Sequence, residues 1–335
     1  MPPSQEDRNM DQDLYCRGKK LDADPARLGT LRDSSDIVDD EALLRQRMAE
    51  DGYLLFRGLV EREKVLRARL EILLKYAIIG EIDAVNHDVM DAILQEQSFI
   101  AQVNLIAFTE SIRRGVAYEE LTQDARIMGI YEKLLGGKVR TFDFKWPRFV
   151  RPGEGTGIHS DNIYVSGGAK NVWTTWIPIG DVALEEGPIV LLEKSHLSPK
   201  LTTYWSKDAD KDQVGWLSEN PAGVQKSIGG RWLTSAFSAG DILCFDVRLV
   251  HASLDNRSPI KRCRLTSDTR YQLASDPLDK RWYGNANPHG GQRKVFLPGM
   301  VRSVGNRKFE EEWKPVDQWG RLDRSSVRSD RLEQA

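Results

Sequence analysis

The chain has 335 residues, 40% of them apolar, and its 48 basic and 50 acidic side chains leave a formal net charge of −2. That is enough for one large domain or two, and the balanced charge, with no basic run, offers nothing to draw nucleic acid or an anionic membrane. Three scattered cysteines (Cys16, Cys244, Cys263) argue against a disulfide scaffold or zinc ribbon and for a reducing, cytoplasmic compartment, no apolar run nears the ~18 residues of a membrane span, and the opening MPPSQEDRNMDQDLY lacks the apolar core of a secretory signal.

In chain order, residues 1–34 are charged and aperiodic, and a mobile polar segment is expected there. From 35 to 137 the pattern is helical. Ile37, Leu44 and Met48 recur at helical spacing before an Asp51-Gly52 stop, and Tyr53 to Leu59 reads as a short strand. Residues 61–79 predict an amphipathic helix with Leu66, Leu70, Leu73, Leu74 and Ala77 on the buried face, and 117–135 a further helix ended by Gly136-Gly137.

Beyond 138 the period changes to that of strands. Val139–Val150, His159–Val165, Asn171–Ile179, Gly187–Leu192, Asp241–Phe245 and Arg264–Gln272 are rich in aromatic and β-branched residues and separated by turn signals. Such strands, with helices outside, predict a mainly β jelly-roll domain spanning 35–312 (helical part 35–137, jelly-roll part 138–285), followed by a polar tail at 313–335. The segment 197–235, with Trp205, Trp216 and Trp232, is expected to cover the pocket.

The chemistry concentrates in Gly157-Ile158-His159-Ser160-Asp161 and in His251. His-x-Asp on an extended segment puts both side chains on one face. With a second histidine from a neighbouring strand it makes a 2-His-1-carboxylate set, which holds one face of an octahedral metal and leaves the other open. The alternative is that His159 bonds Asp161 or its neighbours as an ordinary polar group. His87 and His289 have no partner pattern and read as surface residues.

The ordered motifs HSDNIYV, NVWTTWIPIGDVALEEGPIVLLEKSH, SAGDILCFDVRLVHASLDN and RLTSDTRYQ resemble the phytanoyl-CoA dioxygenase (PhyH) family of Fe(II)/2-oxoglutarate-dependent oxygenases, over about residues 35–285. The resemblance implies a double-stranded β-helix core of the cupin kind, Fe(II), 2-oxoglutarate as co-substrate and O₂. It places His159, Asp161 and His251 as iron ligands, Trp176 beside the co-substrate, and Ser253 as a hydroxyl next to it. The far carboxylate of 2-oxoglutarate would be held by an arginine. Counting eleven residues on from His251 lands on Arg262, whereas aligning the strand RLTSDTR selects Arg264, which is favoured because insertions fall in loops; both would share a strand face. Lys145, Trp146 and Arg148 lie on a strand expected to border the metal pocket, with Lys145 a candidate substrate or co-substrate contact. Asn162 or Tyr164 would face substrate, Arg270 and Asp268 would form a structural ion pair, and His196 would be structural.

The resulting expectation is a hydroxylase acting on an unactivated C–H bond of a small-molecule, lipid or acyl substrate, with succinate and CO₂ as co-products. Asp161 favours it over halogenation, since halogenases of this type replace that carboxylate. Two other readings stay open: a cupin-like metal hydrolase or isomerase, and a catalytically silent binding protein on the same fold. Substrate identity, desaturation or rearrangement by the same centre, and oligomeric state are not written in the sequence.

Overall fold

The period-two segments of the second half close into two facing sheets, with the helices of the first half stacked outside one of them. The structure, a computed structural model, describes residues 12–97, 100 and 103–284; the expected tail at 313–335 and residues 285–312 lie outside these. In chain order the strands are β1 (Tyr15–Cys16), β2 (Lys19–Lys20), β3 (Leu28–Thr30), β4 (Tyr53–Phe56), β5 (Val139–Thr141), β6 (Trp146–Val150), β7 (Trp173–Pro178), β8 (Ile189–Leu192), β9 (Trp232–Thr234), β10 (Ile242–Asp246), β11 (His251–Ser253) and β12 (Arg264–Leu273). The helices are α1 (Glu41–Asp51), α2 (Arg62–Ile78), α3 (Leu105–Arg113), α4 (Val116–Thr122), α5 (Ala125–Leu135), α6 (Thr202–Trp205) and α7 (Pro221–Ile228).

The larger sheet has the order β4-β10-β7-β12-β5, with β6 also paired to β12, and the smaller has the order β11-β8-β9-β3. Alternation assigns the faces. Tyr53, Leu55, Trp176, Leu243 and Phe245 of the larger sheet meet Ile189, Leu191 and Leu233 of the smaller in one buried cluster between the sheets. The residues between them (Leu54, Phe56, Ile177, Ile242, Cys244, Leu265) point the other way and bury against the helices. On β12 this parity turns Arg264, Thr266, Asp268 and Arg270 inward.

Three expectations need correction. Residues 12–34, part of the segment expected to be mobile, are built in: β3 pairs parallel with β9, and Leu14, Cys16, Leu21 and Leu28 join the core outside the smaller sheet. Those apolar residues are too sparse, mostly five to seven positions apart, to mark a helix or strand, and so were invisible to a periodicity argument. The helix at 61–79 is rotated from its expected face: Leu70 and Leu74 are exposed, while Val65, Ala68, Arg69, Ile72 and Leu73 are buried. Arg69 can be buried because Ile179 and Met90 carbonyls accept from its guanidinium at 2.8–3.1 Å. The helix expected at 117–135 is two, α4 and α5, because the Asp124 side chain caps the second by accepting from Arg126 N at 2.9 Å. The Asp51-Gly52 stop is present as read, with Gly52 in the left-handed conformation at φ 78°.

Candidate metal and co-substrate site

Among the described residues, His159, Asp161 and His251 form a group of metal-ligating side chains, all buried, whose donor atoms lie within 4.8 Å of one another. Backbone pairing puts them there: His159 and His251 bridge antiparallel, with N···O distances of 2.9 and 2.8 Å in the two directions. Ser160 is extended, at φ −126° and ψ 148°, so Asp161 returns to the face of His159. The chain entering this segment is fixed by close contact, since a Cβ on Gly157 would sit 2.2 Å from the Trp216 ring. Ser195 Oγ accepts from Val250 N at 2.8 Å, which anchors the residue before His251.

Each imidazole is held in one tautomer by a carbonyl. His159 Nδ1 lies 2.8 Å from Gly157 O, and His251 Nδ1 lies 2.9 Å from Leu249 O. With Nδ1–H donating there, both Nε2 lone pairs are left for a metal. They converge on Asp161 Oδ1, at 3.6 Å from His159 and 3.9 Å from His251. The other carboxylate oxygen is occupied: Asp161 Oδ2 accepts from Thr174 Oγ1 and from Arg270 Nη2, both at 2.7 Å. Burial opposes the charge of Asp161, yet Arg270 foremost, with His251 and His159, holds its pKa well below the usual carboxylate range. Burial, reinforced by His159, lowers His251 from 6.5 to about 4. A neutral His251 beside an ionised Asp161 suits the protonation state a divalent metal needs.

The two arginines separate clearly. Arg264 is 2% exposed and, among the described residues, bonds only Thr266 Oγ1, at 3.4 Å, with its Nε and Nη2 buried and finding no partner there. Burial lowers its pKa to about 10. Its guanidinium carbon lies 5.9 Å from the centre of the Trp176 ring, and Trp176 packs on Phe237 between the sheets. A buried cation with unused donors is costly unless an anion completes it, so this side fits a carboxylate as well as the triad fits a metal. Arg262 does not share the face. Lys261 is left-handed at φ 58°, and Arg262 turns to Asp91 and Glu186, at 3.4 and 3.3 Å, with a third of its side chain exposed.

Of the other expected site residues, Ser253 lies inside, and its Oγ accepts from Thr156 N at 2.7 Å; that fixes the glycine-rich loop and leaves the hydroxyl proton to donate. Lys145 is not brought to the triad. Burial lowers its pKa, and the charges that reach it are Glu119 and Asp143. It sits opposite in parity to Trp146 and Arg148, and so faces the helices. Arg270 and Asp268 do not pair with each other: Asp268 takes Arg148 at 2.5 Å and Arg270 takes Asp161. His196 is structural, with Nε2 3.2 Å from Ala49 O. His87 is half-exposed beside Asp83, and His289 lies outside the described residues. Sequence reasoning missed Thr174 and the Arg270–Asp161 contact. Thr174 was findable, because it is directly opposite Arg270 across β7 and β12.

A family model described as phytanoyl-CoA dioxygenase (PhyH) matches residues 48–263. The chain belongs to the phytanoyl-CoA dioxygenase (PhyH) family. It is accordingly a 2-oxoglutarate-dependent oxygenase using Fe(II). The matched span contains the triad and stops one residue before Arg264, so the choice of arginine rests on the burial and pairing just described. A 1-deoxypentalenic acid 11-beta-hydroxylase of Streptomyces arenae is 26% identical over 290 residues, covering 81% of this chain and 94% of the relative. Its counterpart from Streptomyces exfoliatus is 25% identical over 282 residues, with the same coverage. Among solved structures, the non-heme alpha ketoglutarate dependent carbocyclase SnoK from nogalamycin biosynthesis aligns with a TM-score of 0.49 at 18% identity, covering 74% of this chain and 88% of that one.

The low pKa of His251 has a consequence for the metal-free protein. An unfolded histidine takes its proton near 6.5, the native one near 4, so between these values the unfolded chain binds more protons. Stability present above pH 6.5 is therefore lost as pH falls towards 4, by about 3 kcal/mol from this group at 1.36 kcal/mol per pH unit. Asp161 continues the loss in the same direction below the ordinary carboxylate range. Denaturant unfolding of metal-free protein from pH 7 to 4 is expected to show this extra acid sensitivity and His251→Gln to lack it; parallel curves for the two would assign it elsewhere.

Proposed function

We propose that this oxygenase hydroxylates an unactivated C–H bond of a small-molecule, lipid or acyl substrate, with His159, Asp161 and His251 holding Fe(II) and Arg264 holding the far carboxylate of 2-oxoglutarate. The observation that carries the assignment is the pair of unmet needs on one inner surface: a buried three-donor set with both Nε2 atoms turned inward, and a buried arginine lacking an anion. When bound, iron, 2-oxoglutarate and O₂ supply an oxidant through decarboxylation of the co-substrate to succinate and CO₂. The chain's own residues orient and enclose. Gly157 O and Leu249 O fix the imidazoles, and Thr174 and Arg270 immobilise Asp161 so that Oδ1 alone faces the histidines. Arg264, with Trp176 against it, gives a dry, directional seat for one carboxylate. Ser253 Oγ–H is a further donor on the inner face of β11.

The hydroxylase relatives support hydroxylation as the outcome. The balanced charge speaks for a small-molecule rather than a nucleic-acid substrate. Three buried unpaired thiols favour a reducing, cytoplasmic setting, and among the described residues no helix is long and apolar enough to cross a membrane. We place the catalytic domain at 35–312, extended by the strands of residues 12–34. The test is anaerobic addition of Fe(II) and 2-oxoglutarate, which is expected to give the weak visible band of a chelated keto acid, followed in air by slow succinate release without substrate. Iron binding with neither band nor succinate would transfer the case to a cupin-like hydrolase or isomerase.

A further inference from the structure

Around the triad, among the described residues, one cation is left without a full partner. Arg148 is neutralised by Asp268 at 2.5 Å. Arg264 is matched, on the reading above, by the far carboxylate of 2-oxoglutarate. The two charges of Fe(II) are matched by Asp161 and the keto-acid carboxylate. Arg270 then shares Asp161, its only anion among the described residues, with the metal. It is 3% exposed, and its Nε and Nη1 are buried with nothing to donate to. The Trp146 ring covers one face of the guanidinium, 4.2 Å from its carbon, so further contacts must come in the guanidinium plane. Tyr164, whose hydroxyl is also buried without a partner, feels the charges of Asp161, Arg148 and Arg270. Trp146 also packs against Phe144 and Trp282, each with ring centres 4.9 Å away. The result is an apolar aromatic wall beside a buried cation and an unused hydroxyl.

We propose that Arg270, with the Tyr164 hydroxyl near it, is a carboxylate subsite for the substrate, so that this enzyme acts on organic acids bearing an apolar body rather than on their neutral esters or amides. The inference rests on the oxygenase reading, because only metal and co-substrate complete the other charges. One uncompensated positive charge calls for a monoanion, which favours a carboxylate over a doubly charged phosphate monoester. Donors already placed and desolvated favour the ionised group strongly.

The test uses the anaerobic full-length protein with Fe(II) and saturating 2-oxoglutarate, titrated at constant ionic strength with acetate or with acetamide, its neutral counterpart of similar shape. Binding is read by calorimetry and by the visible chelate band. Acetate is expected to bind saturably with the band retained, and acetamide at least about tenfold more weakly, the scale of one charge-assisted hydrogen bond. Arg270→Gln is expected to remove that preference and Arg270→Lys to keep part of it, each compared with the unmodified protein at matched occupancy of iron and 2-oxoglutarate. Equal binding of the two probes by the unmodified protein overturns the proposal without recourse to any variant. So does loss of the band as acetate displaces 2-oxoglutarate, or an acetate response that survives Arg270→Gln through direct contact with the metal. A large loss of 2-oxoglutarate affinity in Arg270→Gln with iron affinity intact would reassign Arg270 to the co-substrate. A protein that never forms the band fails the oxygenase reading itself, a result distinct from all of these, and the carboxylate subsite falls with it.

Discussion

His159→Ala and Asp161→Ala are each expected to abolish tight 1:1 Fe(II) binding in an anaerobic titration, and they are expected to differ in stability. Both remove one of three donors from the group that the His159–His251 bridge assembles, and two protein donors do not hold a hard divalent ion against water. The difference comes from Arg270. His159→Ala leaves the Arg270–Asp161 pair in place, whereas Asp161→Ala strands a guanidinium that is 3% exposed and, among the described residues, bonded to no other anion. Breaking one side of a buried pair costs about 3–5 kcal/mol, so metal-free Asp161→Ala should unfold at markedly lower denaturant than His159→Ala. Adding Arg270→Gln to Asp161→Ala should recover much of the loss, since the orphaned charge is gone. Undiminished 1:1 iron binding by both single variants would move the metal away from these residues.

The parts legible in the sequence were those with a period or a spacing. The strands at 173–178, 189–192, 242–246 and 264–273 are short runs of apolar, aromatic and β-branched residues between turn signals, so their positions follow from residue types, whereas strands buried on both faces such as IVLL and ILCFD carry no alternation from which to read the inward face. His-x-Asp is short-range, and its extended Ser160 makes the geometry follow from the spacing. The misreadings share another origin. The face of α2 read from its apolar residues alone leaves out Arg69, whose burial depends on carbonyls of Ile179 and Met90, far off in sequence. Arg270 was paired with Asp268 because both were seen on one strand. The alternatives that won, Asp161 for Arg270 and Arg148 for Asp268, come from other elements, and a local pattern carries no information about them. The segment 12–34 was set aside for its composition, yet it closes over the loop that carries the triad: Arg17 Nη1 donates to Gly155 O at 3.2 Å, and Arg17 N and Gly18 N donate to Asp255 at 2.9 and 2.7 Å.

Arg264→Ala is expected to weaken 2-oxoglutarate binding by about a hundredfold or more with iron binding retained, and Arg262→Ala to change it little. Charge-assisted hydrogen bonds are worth about 1.5–3 kcal/mol each, and every 1.4 kcal/mol is tenfold, so losing a two-pronged contact passes a hundredfold. Position decides which arginine carries it. Arg264 opens β12, paired with Val150 of β6, and its inward parity points it between the sheets with Nε and Nη2 unused. The longer loop ahead of it is pinned by Asn256, which donates to Val150 O at 3.1 Å and to Arg262 O at 2.8 Å. That loop turns at Lys261 and delivers Arg262 to a bridge with Ile93 at the outer edge. There its charge is already met by Asp91 and Glu186, so Arg262→Ala removes ion pairs at that edge rather than a contact to the co-substrate. Measuring the 2-oxoglutarate dependence of the visible chelate band in both variants separates the two. A larger loss in Arg262→Ala would mean that the fixed count from His251, not the strand register, places the co-substrate.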